Sequence, residues 1–147
     1  MKNLNPFQHR QAMRLTYAGI LPPWIALGLE QVGSLYWLDL AVLTYGAVIA
    51  SFICGMHWAT FMYKTAPDGS HLLLTSNAGA LAAWALVPVS ILSMPLALVL
   101  MVGVLALLLA IDRQLLAAGA IEPWFWTLRR NATIGLGAGL LAWAVLG

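Results

Sequence analysis

The residues able to do chemistry in this sequence are few and form one set: His57, Asn77, Asp112, Arg113, Arg129 and Arg130, with Arg14 near the start of the chain. Most lie inside or at the edge of long apolar runs, where a polar group is costly and needs a partner or a task. His57 precedes the Pro-, Asp- and Gly-containing segment 64–70 by about as many residues as Asn77 follows it. Two antiparallel helices joined there carry both side chains to a similar depth. The spacing predicts one hydrogen bond or one bridging water between His57 and Asn77, with Thr75 and Ser76 beside them. Asp112-Arg113 and Arg129-Arg130 flank a second turn at Gly119. That arrangement predicts an ion pair between Asp112 and Arg129 or Arg130, at or just under a membrane interface. Arg14 shares one helix face with Arg10 through their i, i+4 spacing.

Gathered at one end of a bundle, these residues would form a cationic recess for an anionic head group, a phospholipid or a quinone. The plainer reading is that arginines near helix ends run out to head groups, while His57 and Asn77 join helices by hydrogen bonds. Other chemistries lack their residues. Haem needs axial ligands such as His or Met, and only His57, with Met56 beside it, falls in an apolar run; His9 and His71 lie at or outside its edges. No two metal ligands stand at i, i+4 on a helix, so neither a metal nor another cofactor is expected. Cys54 is the single cysteine and reads as a small packing residue, with no second thiol for a disulfide. Neither a Ser-His-Asp nor a Cys-His arrangement is supported, and no catalytic constellation is expected.

The elements that must position these residues follow from composition. Of 147 residues, 62% are hydrophobic and only 8% charged, against roughly 25% charged in a soluble domain. A mean hydropathy of +0.87 makes lipid the natural solvent. The net charge of +2 comes without a basic, aromatic-interleaved stripe, so nucleic acid is not an expected partner. Backbone groups in lipid must be satisfied within the segment, so the spans are helices of about 20 residues. The apolar runs predict five, at 6–29, 38–63, 71–92, 95–118 and 123–146, forming one helical membrane domain.

Asn5 is the expected N-cap of the first helix, with Pro6 at its first position. Pro22-Pro23 is expected to kink this helix, and its end at Glu30-Gln31 reads as a retained helix rather than a cleaved signal peptide. Counted by side, Lys2, Arg10, Arg14, Lys64, Arg113, Arg129 and Arg130 share one side, and the other holds Glu30 and Asp39 without Lys or Arg. That bias predicts a compact five-helix bundle with its N-terminus inside and its C-terminus outside. Small residues at four-residue spacing, Ala47, Ser51, Gly55 and Ala59, and the pair Gly135 and Gly139 with Ala138 and Ala142 beside them, predict packing stripes inside the bundle. Homodimerisation through the last helix is the alternative use of the second stripe.

Several stretches carry a family resemblance: Tyr17-Ala18-Gly19-Ile20-Leu21-Pro22; Tyr45-Gly46-Ala47-Val48-Ile49-Ala50-Ser51-Phe52 followed by Gly55-Met56-His57-Trp58; Asp112-Arg113; and Pro123-Trp124-Phe125 with Leu128-Arg129. Together they resemble the transmembrane-protein-69-like family of small bacterial and mitochondrial inner-membrane proteins. The resemblance covers nearly the whole chain, and its most specific part is the stretch ending at Trp58. It implies a multi-pass protein of the bacterial inner membrane, and a position at His57 that tolerates His or Arg, hence a polar role rather than an obligatory ligand. Short loops and the lack of a soluble domain point to a non-enzymatic accessory, assembly or scaffold component. Its partners would be membrane lipids and a membrane-protein partner or a second copy of the chain. The second reading is a lipid- or quinone-binding protein using His57, Asn77, Arg14, Asp112, Arg113, Arg129 and Arg130; the third is a small oligomeric transporter.

Overall fold

A computed structural model describes residues 5–33, 36–63 and 70–147. Lys2 and residues 64–69 of the turn expected at 64–70 lie outside the described residues, and Ser70 is the first residue of α4. The described chain is helical throughout, in the order α1 Pro6–Ala18, α2 Leu21–Glu30, α3 Leu38–Tyr63, α4 Ser70–Val89, α5 Met94–Ala117 and α6 Pro123–Leu146. Among the described residues, three stretches are long and apolar enough to cross a membrane: Leu38–Tyr63, His71–Val89 and Met94–Ala117.

The single helix expected over 6–29 is two helices. Asn5 caps α1, its Oδ1 accepting from the Phe7 N–H at 3.3 Å while the Gln8 side chain accepts from the Asn5 N–H at 3.2 Å. The helix stops at Ala18 and restarts at Leu21, with Pro22 and Pro23 in the first turn of α2. In a continuous helix Pro22 and Pro23 would face the carbonyls of Ala18 and Gly19 without an N–H to offer them. The break therefore falls four residues upstream of the prolines rather than at them. The freed Gly19 carbonyl is recovered by α3: the Tyr45 hydroxyl donates to it at 2.6 Å.

In series, α1 and α2 run parallel to α6 in one constant register. The His9 and Trp124 rings meet edge to face with centroids 4.7 Å apart, and Asn131 Nδ2 donates to the Tyr17 hydroxyl at 3.4 Å. Farther along, Ile20 covers Gly135, and Pro23 and Trp24 cover Gly139. A methyl group on Gly135 would stand 2.8 Å from Ile20 Cγ2, and one on Gly139 would stand 3.1 Å from Pro23 Cβ. These glycines let α2 lie close enough for the Trp24 indole to donate to the Gly135 carbonyl at 3.2 Å. The second small-residue stripe is thus filled from within the chain. The first is divided: Ala47 is half-buried and packs against the core, while Ser51, Gly55 and Ala59 are exposed, so the expectation of internal packing is corrected for those three.

The other helices form two antiparallel hairpins, α3 with α4 and α5 with α6, packed around a core that includes Leu43, Ile53, Leu98, Met101, Leu105 and Leu140. The α5–α6 turn is closed by Gly119, whose φ of +67° suits a residue without Cβ. The Ala120 N–H returns to the Leu115 carbonyl at 2.8 Å and the Gly119 N–H to that of Leu116 at 3.0 Å. This paired closure is a Schellman motif. It seats Ala120 and Ile121 against Leu72 and Leu115 in a second small core. At the far end of the bundle the Trp143 indole donates to Asp39 at 2.8 Å, joining the end of α6 to the start of α3.

Candidate functional site

The α5–α6 turn fixes where the buried charges meet. Asp112 lies five residues before the end of α5, Arg129 six after the start of α6, and His57 six before the end of α3. At 1.5 Å per residue all three lie about 8–9 Å inside the same end of the bundle. Arg129 donates from Nε and Nη2 to Oδ2 of Asp112, at 3.0 and 2.9 Å. The other oxygen, Oδ1, is 2.8 Å from His57 Nε2. Asp112 and His57 are each only 1% exposed and Arg129 7%. A carboxylate held by a guanidinium is acceptor-only, so His57 Nε2 carries a proton and donates to it. Asp112 and Arg129 balance each other, one carboxylate against one guanidinium. Nδ1 is fully buried and has no hydrogen-bond partner among the described residues.

The remaining residues of the set are not drawn in. Asn77 is exposed and its Nδ2 donates to the Leu73 carbonyl of its own helix at 2.7 Å. The expected link between His57 and Asn77 is therefore corrected: His57 turns to α5, and the buried polar residue at that place on α4 is Ser76, whose hydroxyl donates to the Leu73 carbonyl at 3.1 Å. Arg14 and Arg113 are exposed on α1 and α5. Arg130 is exposed too and lies 3.4 Å from Asn131 Oδ1 through both Nε and Nη2. None of these three cations is buried with the cluster. The one Arg in the cluster is neutralised by Asp112, so the buried part of the set is not a cationic recess.

Two cavities flank the cluster. One of about 210 Å³ touches His57 and Asp112 and is lined at the α5–α6 turn by Ala120 and Ile121. The other, of about 250 Å³, lies between the α1–α2 break, α3 and α6 and touches Arg129. Thr16 and Thr133 also line it. Sequence reasoning missed this second cavity because the chain folds it around a helix break whose position it set at the prolines. Among the described residues no group of three or more His, Cys, Asp and Glu side chains could hold a metal ion.

No match is found among curated proteins or among solved structures. A family model does match, over residues 8–145, and takes in every residue of the buried cluster and both cavities. The chain belongs to that family, described as protein of unknown function (DUF3429).

Proposed function

We propose that this chain is a multi-pass inner-membrane protein of five spans that serves as a non-enzymatic accessory, assembly or scaffold component. The observation that carries the reading is the closed cluster of His57, Asp112 and Arg129. It fastens α3, α5 and α6 to one another through a buried carboxylate that accepts from both His57 and Arg129, which is how a bundle is locked rather than how a turnover site is laid open. Around it, large apolar side chains face outward on every long helix, among them Phe52, Trp84, Leu107 and Ile134. A surface of this kind suits lipid or the helices of a partner.

Five spans require α1 and α2 to act together. Alone, the ten residues of α2 reach about 15 Å, half of the roughly 30 Å hydrocarbon core. In series they accompany α6 from Trp124 to Gly139, in the same direction. First and last spans run parallel in an odd-numbered bundle, which supports this count over four or six. The N-inside orientation rests on the Lys and Arg bias, and the resemblance to the transmembrane-protein-69-like family supports the inner-membrane assignment.

The test is purification of the full chain from its native membrane in mild detergent, followed by native mass spectrometry. A stoichiometric protein partner is the expected result. A monomer that carries only lipid or quinone, with no protein partner at any detergent concentration, would overturn the scaffold reading.

A further inference from the structure

Arg129 spends two of its five N–H donors on Asp112. Its Nη1 has no hydrogen-bond partner among the described residues, yet it is not sealed in the core: the one fully buried side-chain nitrogen or oxygen without a partner there is His57 Nδ1. Of the two cavities that flank the cluster, Arg129 lines the 250 Å³ one beside the α1–α2 break, which is where an unpaired edge of its guanidinium can meet a ligand. The rest of that wall is apolar, from Ile20, Ile53, Leu105 and Leu136, with the Thr16 and Thr133 hydroxyls on either side. Leu15 and Phe52 stand at its mouth and are 74% and 66% exposed, so the cavity opens sideways, between α1 and α3, onto the apolar surface.

We infer that this cavity receives the carbonyl oxygen of a neutral, lipid-soluble molecule, which accepts from Arg129 Nη1. The sign of the charge decides between ligand classes. Asp112 already balances Arg129, so an anion placed on Nη1 would add a second negative charge beside the buried carboxylate. A neutral carbonyl accepts from the same donor and adds no charge. The size fits a small group: about 250 Å³ lies just below the roughly 300–1,000 Å³ of pockets for drug-sized ligands, enough for one ring or one ester segment with its tail running out into the bilayer. Two molecules supply this chemistry, an isoprenoid quinone through its ring carbonyl and a glycerolipid through its ester. The inference goes beyond the scaffold reading and does not depend on it, since a scaffold with a protein partner can hold such a molecule or not.

The experiment uses the full chain in an ether-linked detergent, free of carbonyls, titrated with four probes: a short-tailed ubiquinone, dioleoylphosphatidylcholine, its ether-linked counterpart, and oleate. Native mass spectrometry measures retention. One equivalent of quinone or ester lipid, held at least tenfold more tightly than the ether lipid, is expected. Tighter quinone identifies the ring carbonyl as the source, and tighter ester lipid identifies the glycerolipid. Equal retention of ester and ether lipids without a quinone adduct overturns the inference, and so does oleate binding most tightly. Ala132→Phe fills the cavity while leaving both members of the ion pair in the sequence, and should weaken the bound probe at least tenfold. Ala59→Phe, in the cavity beside His57, should leave it unchanged. Unchanged binding in Ala132→Phe overturns the location. A photoreactive form of the bound probe maps the site in the unaltered protein: labels on Phe52 or Leu136 are expected, and labels confined to α4 overturn the site even if Ala132→Phe does not fold.

Discussion

Arg129 brings Nε and Nη2 together on a single oxygen of Asp112, at 3.0 and 2.9 Å, and the second oxygen of Asp112 is left to His57. The carboxylate thus has three donors and no exposed edge. Removing it strands a buried guanidinium, so Asp112→Ala should cost about 3–5 kcal/mol, the range for breaking a buried pair. That is more than the roughly 1–2 kcal/mol expected for a pair at the interface, where water and phosphate would share the load. The measurement is reversible unfolding in mixed micelles. Adding Arg129→Leu to Asp112→Ala should recover stability, because the stranded charge goes with it. A double variant as unstable as the sum of the two single changes would mean that the pair is uncoupled.

His57 is the smaller partner. His57→Leu removes the donor to Asp112 Oδ1 but leaves Arg129 in place, and should cost about 1–3 kcal/mol, the price of a buried acceptor left unsatisfied. His57→Gln can present an N–H near the position of Nε2 and should recover a good part of that loss. If Leu and Gln unfold alike, the hydrogen bond contributes nothing and His57 acts only by filling space.

The α2–α6 contact is governed by the two glycines. Gly135→Leu would thrust a side chain into the space held by Ile20, whose Cγ2 lies 2.8 Å from the position of a Cβ there. Overpacking of this kind costs about 1–3 kcal/mol. The same change at Ala138, exposed on the neighbouring face, should stay within about 0.5 kcal/mol. Thermal unfolding of the two variants side by side checks the contrast, and equal effects would place α2 away from α6.

Depth was legible in the sequence and direction was not. Counting residues from a turn fixes how far along a helix a side chain lies, and this arithmetic is what brought Asp112 and Arg129 to one level across the Gly119 turn. It did the same for His57 and Asn77, but each residue also rotates by about 100° around the axis. One step separates Ser76, which is buried, from Asn77, which is exposed. Which way His57 turned depended on α5 arriving against α3, a long-range packing fact that local spacing does not contain. The helix break had the opposite character. The prolines announced it, and its place upstream follows from the carbonyls they leave unpaired, one of which Tyr45 recovers. The small-residue stripes carried equal signals, yet one received α2 and most of the other stayed exposed, because only the helices available to pack decide which stripe is covered.

The parallel register of α1 and α2 with α6 makes the topology testable at single residues. If the two short helices cross the membrane in series, residues at the start of α1 and after the end of α2 face opposite compartments. If instead they fold back as a re-entrant pair, both face the same one. Contacts at His9–Trp124, Tyr17–Asn131, Ile20–Gly135 and Trp24–Gly139 advance together along both chains, with no reversal at the break, so the crossing arrangement is expected. Cys54 is buried and can be replaced by Ser to give a background without thiols. Gln8→Cys and Val32→Cys, both at exposed positions, are then labelled in intact cells with a membrane-impermeant maleimide, and again after permeabilisation. Val32→Cys should react from outside in intact cells, and Gln8→Cys only once the membrane is opened. A reporter placed in segment 64–69 should be active only in the cytoplasm, and one fused after Gly147 only outside, since α3 to α6 reverse direction three times more. Labelling of Gln8→Cys and Val32→Cys from the same side would sink the broken-span arrangement, leaving α1 and α2 as a pair inserted from one face and the bundle with four crossings.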